Sequence, residues 1–185
     1  MISKINSLRA RKRSVIDDPA QLEDKQFRSI VDYWRSKPLN QNGLPDFKTF
    51  DIVELPGSIW SKLFLVKLFG SPRRFFYELV GGDIEEHNGF SAQKKFLTDL
   101  PLKNRHAMAI EFVHTLHAKK PVTSVGPYIG AEDYVKTVSR VICPFDMGNQ
   151  AFAFIGIVRF ENYSPEELQK IKLANKKTNP LGAAI

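Results

Sequence analysis

Residues 63–80, with the sequence LFLVKLFGSPRRFFYELV, decide the fold class. Two runs rich in Leu, Val, Phe and Tyr flank the short connection Gly70-Ser71-Pro72, and in the second run Phe75, Tyr77 and Leu79 alternate with their neighbours. Such residues, bounded by Gly and Pro, are typical of strands, in which successive side chains point to opposite faces. The stretch therefore predicts two neighbouring strands at 63–69 and 74–80.

Three later segments, 122–129, 134–142 and 151–160, have the same composition. One helical segment, 102–119, lies between the second and third predicted strands. The order of two strands, a helical crossing and three strands predicts an α+β domain with a five-stranded antiparallel sheet. The last strand is apolar on both faces, so the sheet needs cover on both sides, from the helical crossing on one face and from an N-terminal helix on the other.

The N-terminal helix is predicted at 22–36. Asp18 can cap it, Pro19 suits its first position, and Trp34 lies near its end. A second capping box at residues 164–167 predicts a C-terminal helix.

The net charge of +7 comes from the two ends of the chain. Residues 1–14 and 170–185 carry Lys and Arg but no acid, and the part between them has a small acidic excess. A nucleic-acid-binding domain concentrates positive charge on a folded face, so we expect no nucleic-acid partner. The predicted organisation is a basic flexible tail at 1–17, a domain at 18–162, and a helix with a disordered tail at 163–185.

The chain has no apolar run of the roughly 18–20 residues that a transmembrane helix needs, and its N-terminus lacks the apolar stretch of a secretory signal. Its single cysteine, Cys143, cannot form an intramolecular disulfide. We therefore expect a soluble, cytoplasmic protein with no transmembrane segment.

Several motifs appear in a characteristic order along residues 26–161. They are Asp32-Tyr33-Trp34-Arg35, Pro45-Asp46-Phe47, Phe75-Phe76-Tyr77-Glu78-Leu79-Val80-Gly81, Val141-Ile142-Cys143-Pro144-Phe145 and Phe154-Ile155-Gly156-Ile157-Val158. In this order and spacing the chain resembles the alphaproteobacterial family of PAS-like domains. The resemblance implies a five-stranded sheet with short helices on one face, in a sensory or protein-interaction module of bacterial signalling.

Part of the inner sheet face is predicted to line a ligand cavity. The candidate ligand-binding residues are Tyr77, Met108, Phe112, Tyr128 and Arg140. Simple core packing is the alternative interpretation of the same aromatic residues.

We expect no catalytic residue, metal site or cofactor. In the helix 102–119, the core stripe is predicted to contain Met108, Ala109, Phe112, Val113 and Leu116. The histidines of that helix, His106, His114 and His117, fall outside this stripe and suggest no haem or metal role. Cys143 lies outside any flavin-binding motif, and we expect it to be a small structural side chain.

The sequence thus favours a non-enzymatic regulatory domain that binds a small molecule, a signalling partner protein, or both. A homodimer through the Trp34 helix is a further expectation. The alternatives are a ligand-free interaction scaffold and, least favoured, a small α+β enzyme.

Overall fold

The computed structural model describes residues 12–70, 72–101, 105–130 and 132–178, with side chains up to residue 171. The fold is α+β, built on one antiparallel sheet of seven strands in the order β1-β5-β6-β7-β2-β3-β4. The strands are β1 Lys12–Val15, β2 Leu63–Phe69, β3 Arg74–Val80, β4 Lys95–Phe96, β5 Val122–Pro127, β6 Val135–Gly148 and β7 Ala151–Asn162. The helices are α1 Lys25–Ser36, α2 Gly82–Asn88, α3 Arg105–Ala118 and α4 Pro165–Thr178.

The five predicted strands are the central strands of this sheet, but the predicted five-stranded sheet is wrong in number. The short strands β1 and β4 extend it at the two edges. β1 also corrects the predicted flexible tail at 1–17: Lys12–Val15 pairs with β5, and Ile16 is 4% exposed in the core. A four-residue edge strand with three exposed positions has too little apolar periodicity for the sequence to reveal it. Residues 1–11 and the predicted disordered end from residue 179 lie outside the described residues.

Helix α1 begins later than its capping pattern predicts. Asp18 accepts a hydrogen bond from the Ala20 amide and caps a single 3-10 turn. The cap of α1 itself is Asp24, whose carboxylate accepts from the amides of Gln26 and Phe27. Both aspartates satisfy amides that the first turn leaves without partners, so both positions resemble a helix start in sequence. At the other end of the chain, the Ser164–Glu167 capping box of α4 is present as predicted.

The sheet is covered on both faces, as the apolar last strand requires. On the outer face, Ala153, Ile155 and Ile157 of β7 pack with α1 and the irregular segment 37–62. On the inner face, Phe154 and Val158 pack with residues of α2 and α3. The two-sided burial predicted for the last strand is therefore confirmed.

In β3 the predicted alternation is interrupted by a β-bulge. Leu65 pairs with Leu79, and the next residue of β2, Val66, pairs with Tyr77, so Glu78 is an extra residue in β3. An extra residue reverses the side-chain direction of everything beyond it. Tyr77 consequently belongs to the inner face, whereas Leu79, predicted to share its face, packs on the outer one.

Trp34 attaches α1 to the sheet. Its indole is 6% exposed, and its Nε1 donates to the carbonyl oxygen of Pro144 at 2.6 Å. Pro144 lies inside β6, which continues to Gly148 instead of ending at 142 as predicted. In a strand, the N–H and C=O of one residue point to the same side, and the Pro144 carbonyl points away from β7. The N–H that proline lacks would therefore not have bonded to β7, and the ladder with that strand loses nothing. The indole is covered by its own chain, so a homodimer through this helix would have to use the exposed face of α1.

Asp146 holds the segment before the first predicted strand against β6. Its carboxylate is nearly buried and accepts from the side-chain amides of Asn40, at 2.9 Å, and Asn42, at 2.7 Å, and from the Gly148 amide. Burial alone would raise the pKa of Asp146, but these hydrogen bonds outweigh it and hold the pKa below its ordinary value. The carboxylate is therefore more stable as an anion in the folded protein than in the unfolded chain.

Among the described residues, no helix has both the length and the apolar character needed to span a bilayer.

We expect Trp34→Ala to lower the free energy of unfolding by about 3–5 kcal/mol, because it removes a buried aromatic side chain and leaves the Pro144 carbonyl without this donor. Urea denaturation measures the change. The matched control is Trp60→Ala, since Trp60 is 44% exposed and should cost much less. Equal losses for the two variants would show that α1 is not anchored by its indole.

We expect Asp146→Asn to lower the free energy of unfolding by about 1.5–3 kcal/mol near neutral pH. The folded-state pKa of Asp146 is depressed, so its contribution is present above the unfolded pKa of about 4 and disappears as the pH falls through the folded pKa. The difference between wild type and variant should therefore shrink on acidification, as followed by urea denaturation at a series of pH values. Asp32→Asn, on the exposed side of α1, is the control. A difference independent of pH would contradict this assignment.

Candidate functional site

A small cavity lies between the inner face of the sheet and the helices α2 and α3. Its volume is about 50 Å³, and most of its wall is apolar, with side chains from β2, β3, α2, α3, β6 and β7. All five candidate ligand-binding residues predicted from the sequence line this cavity: Tyr77, Met108, Phe112, Tyr128 and Arg140. The structure thus brings together residues that are up to 63 positions apart in the sequence.

An ion pair lies in the wall beside the neutral polar side chains. Nη1 of Arg140 lies 3.6 Å from Oε2 of Glu111, and their side chains are 11% and 2% exposed. Oε2 of Glu111 also accepts a hydrogen bond from the Ser124 hydroxyl at 3.1 Å. Ser124 and Arg140 are directly opposite each other on β5 and β6, so both face the same helix. Charges taken out of water need such partners, and here each has at least one.

Glu111 reaches this position because α3 is rotated relative to its predicted orientation. The buried residues of the helix are Glu111, Phe112 and Thr115, whereas Val113, predicted in the core stripe, is 42% exposed. The hydroxyl of Thr115 donates to the carbonyl oxygen of Glu111 at 2.8 Å, which satisfies the polar atom that this rotation buries. The face of α3 that meets the sheet therefore contains the carboxylate of the ion pair as well as apolar side chains.

Phe112 fixes the depth at which α3 lies on the sheet. Its ring is 1% exposed and has its centroid 5.1 Å from that of Phe154 and 5.2 Å from that of Phe75. A third neighbour is Phe64, with a centroid distance of 6.2 Å. Aromatic clusters of this kind bury large areas and have directional contacts. Phe112 is therefore part of the core as well as of the cavity wall.

Tyr77 and Met108 lie next to each other in the wall. The Tyr77 hydroxyl is 3.8 Å from the Met108 sulfur. Burial raises the pKa of Tyr77 well above its ordinary value, with the Glu111 charge acting in the same direction and the Arg140 charge against it. The phenol is consequently neutral at physiological pH and presents a hydroxyl that can donate or accept.

Tyr128 and α2 form the side of the cavity nearest to solvent. The Tyr128 hydroxyl donates to the backbone carbonyl of His87, and the His87 ring stacks on Phe160 with centroids 3.9 Å apart. Gly130, an exposed residue of the wall, packs against the Tyr128 ring where any Cβ would collide with it. These contacts hold the end of α2 against the sheet, so opening them would widen the cavity.

Glu111, Ser124 and the helix α2 contribute to the site but are not predicted from the sequence. Glu111 is the one acidic residue of α3, at the i+3 position from Met108, and this placement within the apolar stripe was the available signal. Ser124 gives no signal of its own, because its role depends on β5 lying beside β6. Residues Gly81-Gly82-Asp83 form the start of α2, with Gly81 in the cap position.

The cysteine and the three histidines of α3 lie away from the cavity wall. Cys143 is fully buried on the outer face, where burial raises the pKa of its thiol. His106, His114 and His117 are exposed on α3. Within the described part of the chain, no three His, Cys, Asp or Glu side chains are grouped as metal ligands would be.

No protein-family model matches the chain, and a search of curated proteins finds no significant match. The interpretation of the cavity therefore depends on its own geometry.

We expect Arg140→Met and Glu111→Leu each to lower the free energy of unfolding by about 3–5 kcal/mol, because each leaves the other charge buried without its ionic partner. The double variant should lose much less than the sum of the two, since it leaves no unpaired charge. Urea denaturation of the four proteins measures the coupling. The same cycle on the more exposed Arg74–Asp99 pair is the control and should give a small coupling. Additive losses at Glu111 and Arg140 would show that the pair does not act as a unit.

Proposed function

We propose that this protein is a PAS-like regulatory domain that binds a small molecule in the cavity beneath α3 and performs no catalysis. The observation that carries the proposal is the cavity itself, where a mostly apolar wall holds one ion pair and two tyrosine hydroxyls. An enclosed apolar space with a few convergent polar groups is the usual form of a small-molecule site. The two strands, helical crossing and three strands at the centre of the sheet agree with the resemblance to PAS-like domains.

The polar groups of the wall favour binding over catalysis. Among the described residues that line the cavity there is no Ser, Thr, Cys, Lys or His. The Glu111 carboxylate is engaged by Arg140 and by the Ser124 hydroxyl, and the Tyr77 phenol has a raised pKa, so neither side chain is a good base or nucleophile at neutral pH. These features favour a regulatory domain over the small α+β enzyme.

Binding would be transmitted through the helices that flank the cavity. Ile84 and Asn88 of α2 belong to the wall, as do Val158 and Phe160 near the end of β7. The chain passes from β7 into α4, whose Glu167 pairs with Lys136 of β6 at 2.6 Å. A ligand that displaces the end of β7 would therefore change the position of α4, which is a route to a signalling partner.

An interaction scaffold without a ligand is the second candidate, and the outer surface of α3 favours it. Ile110 is 54% exposed and Val113 is 42% exposed on this helix. Apolar side chains exposed together often mark contact surfaces. In this interpretation the cavity is a packing defect, and α3 binds a partner protein directly.

Native mass spectrometry of the purified 185-residue chain distinguishes the two candidates. A sensor should carry a co-purified molecule of defined mass, and the same spectra report the number of subunits, which tests the predicted homodimer.

Ala92→Val is the variant to compare with wild type. Ala92 is 2% exposed in the cavity wall, so two added carbons would occupy the space and should remove the co-purified molecule. Ala151→Val, at the start of β7 and outside the wall, is the matched control and should retain it. If wild type carries no added mass, or Ala92→Val keeps it, the ligand-binding proposal fails and the scaffold is favoured.

A further inference from the structure

The cavity wall is electrically balanced. Of the described residues that line it, only Glu111 and Arg140 have formal charges, and these oppose each other at 3.6 Å. The remaining polar side chains are the neutral Tyr77, Tyr128 and Asn88. The cavity therefore offers both a carboxylate acceptor and a guanidinium donor, with no net charge for a ligand to neutralise.

This balance discriminates between ligands by their charge. An anion would lose its hydration on entry and would meet Arg140 already paired, with the Glu111 carboxylate repelling it. A cation would also lose its hydration, would meet Glu111 already paired, and would be repelled by the Arg140 guanidinium. A neutral group loses less hydration, and one that both donates and accepts can bond to Glu111 and Arg140 together without separating their charges.

The size of the cavity limits the ligand further. Its volume of about 50 Å³ is smaller than the cavity of about 150 Å³ that accepts benzene in another protein. Met108 is the side chain best able to make room, because a thioether chain has three flexible bonds and this one is only half-buried. Its neighbour in the wall is the Tyr77 hydroxyl, so movement of Met108 would also expose that group to a ligand.

We infer that the cavity takes a small neutral molecule with an apolar body and one group that both donates and accepts hydrogen bonds, such as a primary amide. Anions of the same shape are excluded by the Glu111 carboxylate. This inference rests on the proposed ligand-binding function and narrows its ligand class.

Benzamide and benzoate are the probes, because they have nearly the same shape and near neutral pH differ by one negative charge. If Met108 moves aside to admit the ring, titration calorimetry with the 185-residue chain should show saturable binding of benzamide and at least tenfold weaker binding of benzoate. Met108→Ala enlarges the cavity and should tighten benzamide binding by about tenfold while keeping the preference for the neutral probe.

Glu111→Gln tests the origin of the preference. The substitution keeps the shape of the side chain and leaves Arg140 as the one formal charge among the described residues of the wall, so the preference should reverse in favour of benzoate. Glu161→Gln, an exposed change outside the wall, is the matched control and should behave like wild type. Thermal unfolding establishes whether each variant is folded. If Glu111→Gln is not folded, the selectivity of wild type for benzamide over benzoate remains the test.

The inference is overturned if wild type binds benzoate as tightly as benzamide, or if Glu111→Gln leaves the preference unchanged. In both cases the cavity still binds a small molecule, so the proposed function is retained and only the ligand class is wrong. Absence of saturable binding of both probes to wild type and to Met108→Ala also overturns it. The co-purified mass then decides separately whether the proposed function fails as well.

Discussion

The structure depends on one constraint, which is that the central strand β7 is apolar on both faces. Its odd-numbered residues from 153 to 157 pack on the outer core, and Phe154 and Val158 pack on the inner core. A sheet with such a strand has no side that can face water, so each face must bury its apolar surface against another layer. The chain supplies these layers from different regions, α1 and the segment 37–62 outside, α2 and α3 inside.

The two layers are attached by different interactions. On the outer face, the Trp34 indole of α1 donates a hydrogen bond to the Pro144 carbonyl of β6. The side-chain amides of Asn40 and Asn42, in the segment 37–62, donate to the Asp146 carboxylate of the same strand. On the inner face, α3 is placed by the Phe112 cluster and by the ion pair of Glu111 with Arg140. The inner interface therefore contains charge that must remain paired, and the cavity lies beside that pair. Under the proposed function, a molecule bound beside the pair would contact an interaction that positions the helix, and this is the physical reason for linking binding to movement of α3.

Local periodicity explains how much of the fold the sequence predicts. The bounds of β2 and β3 agree with the predicted segments, and the other three central strands differ mainly at their ends. The errors occur where local pattern and tertiary contact diverge. Asp18 and Asp24 are both good caps, and only packing decides which begins the long helix. The strand β6 continues through Pro144 because the missing amide faces away from β7. The bulge at Glu78 cannot be seen in an alternating pattern, because it is a property of the pairing with β2.

The sequence by itself determined the apolar and polar order of the chain. That order is enough to predict an α+β fold, the two-sided burial of the last strand and five residues that line one cavity, because side-chain period and hydrophobicity are local properties. Only the tertiary structure decided that Glu111 faces inward, that Ser124 and Arg140 meet it from adjacent strands, and that α2 closes the side of the cavity. These depend on strand register and helix rotation, which are set by contacts between distant residues and have no counterpart in local periodicity. A carboxylate on an amphipathic helix is expected in water, and it is buried here because a guanidinium from another part of the chain pairs with it.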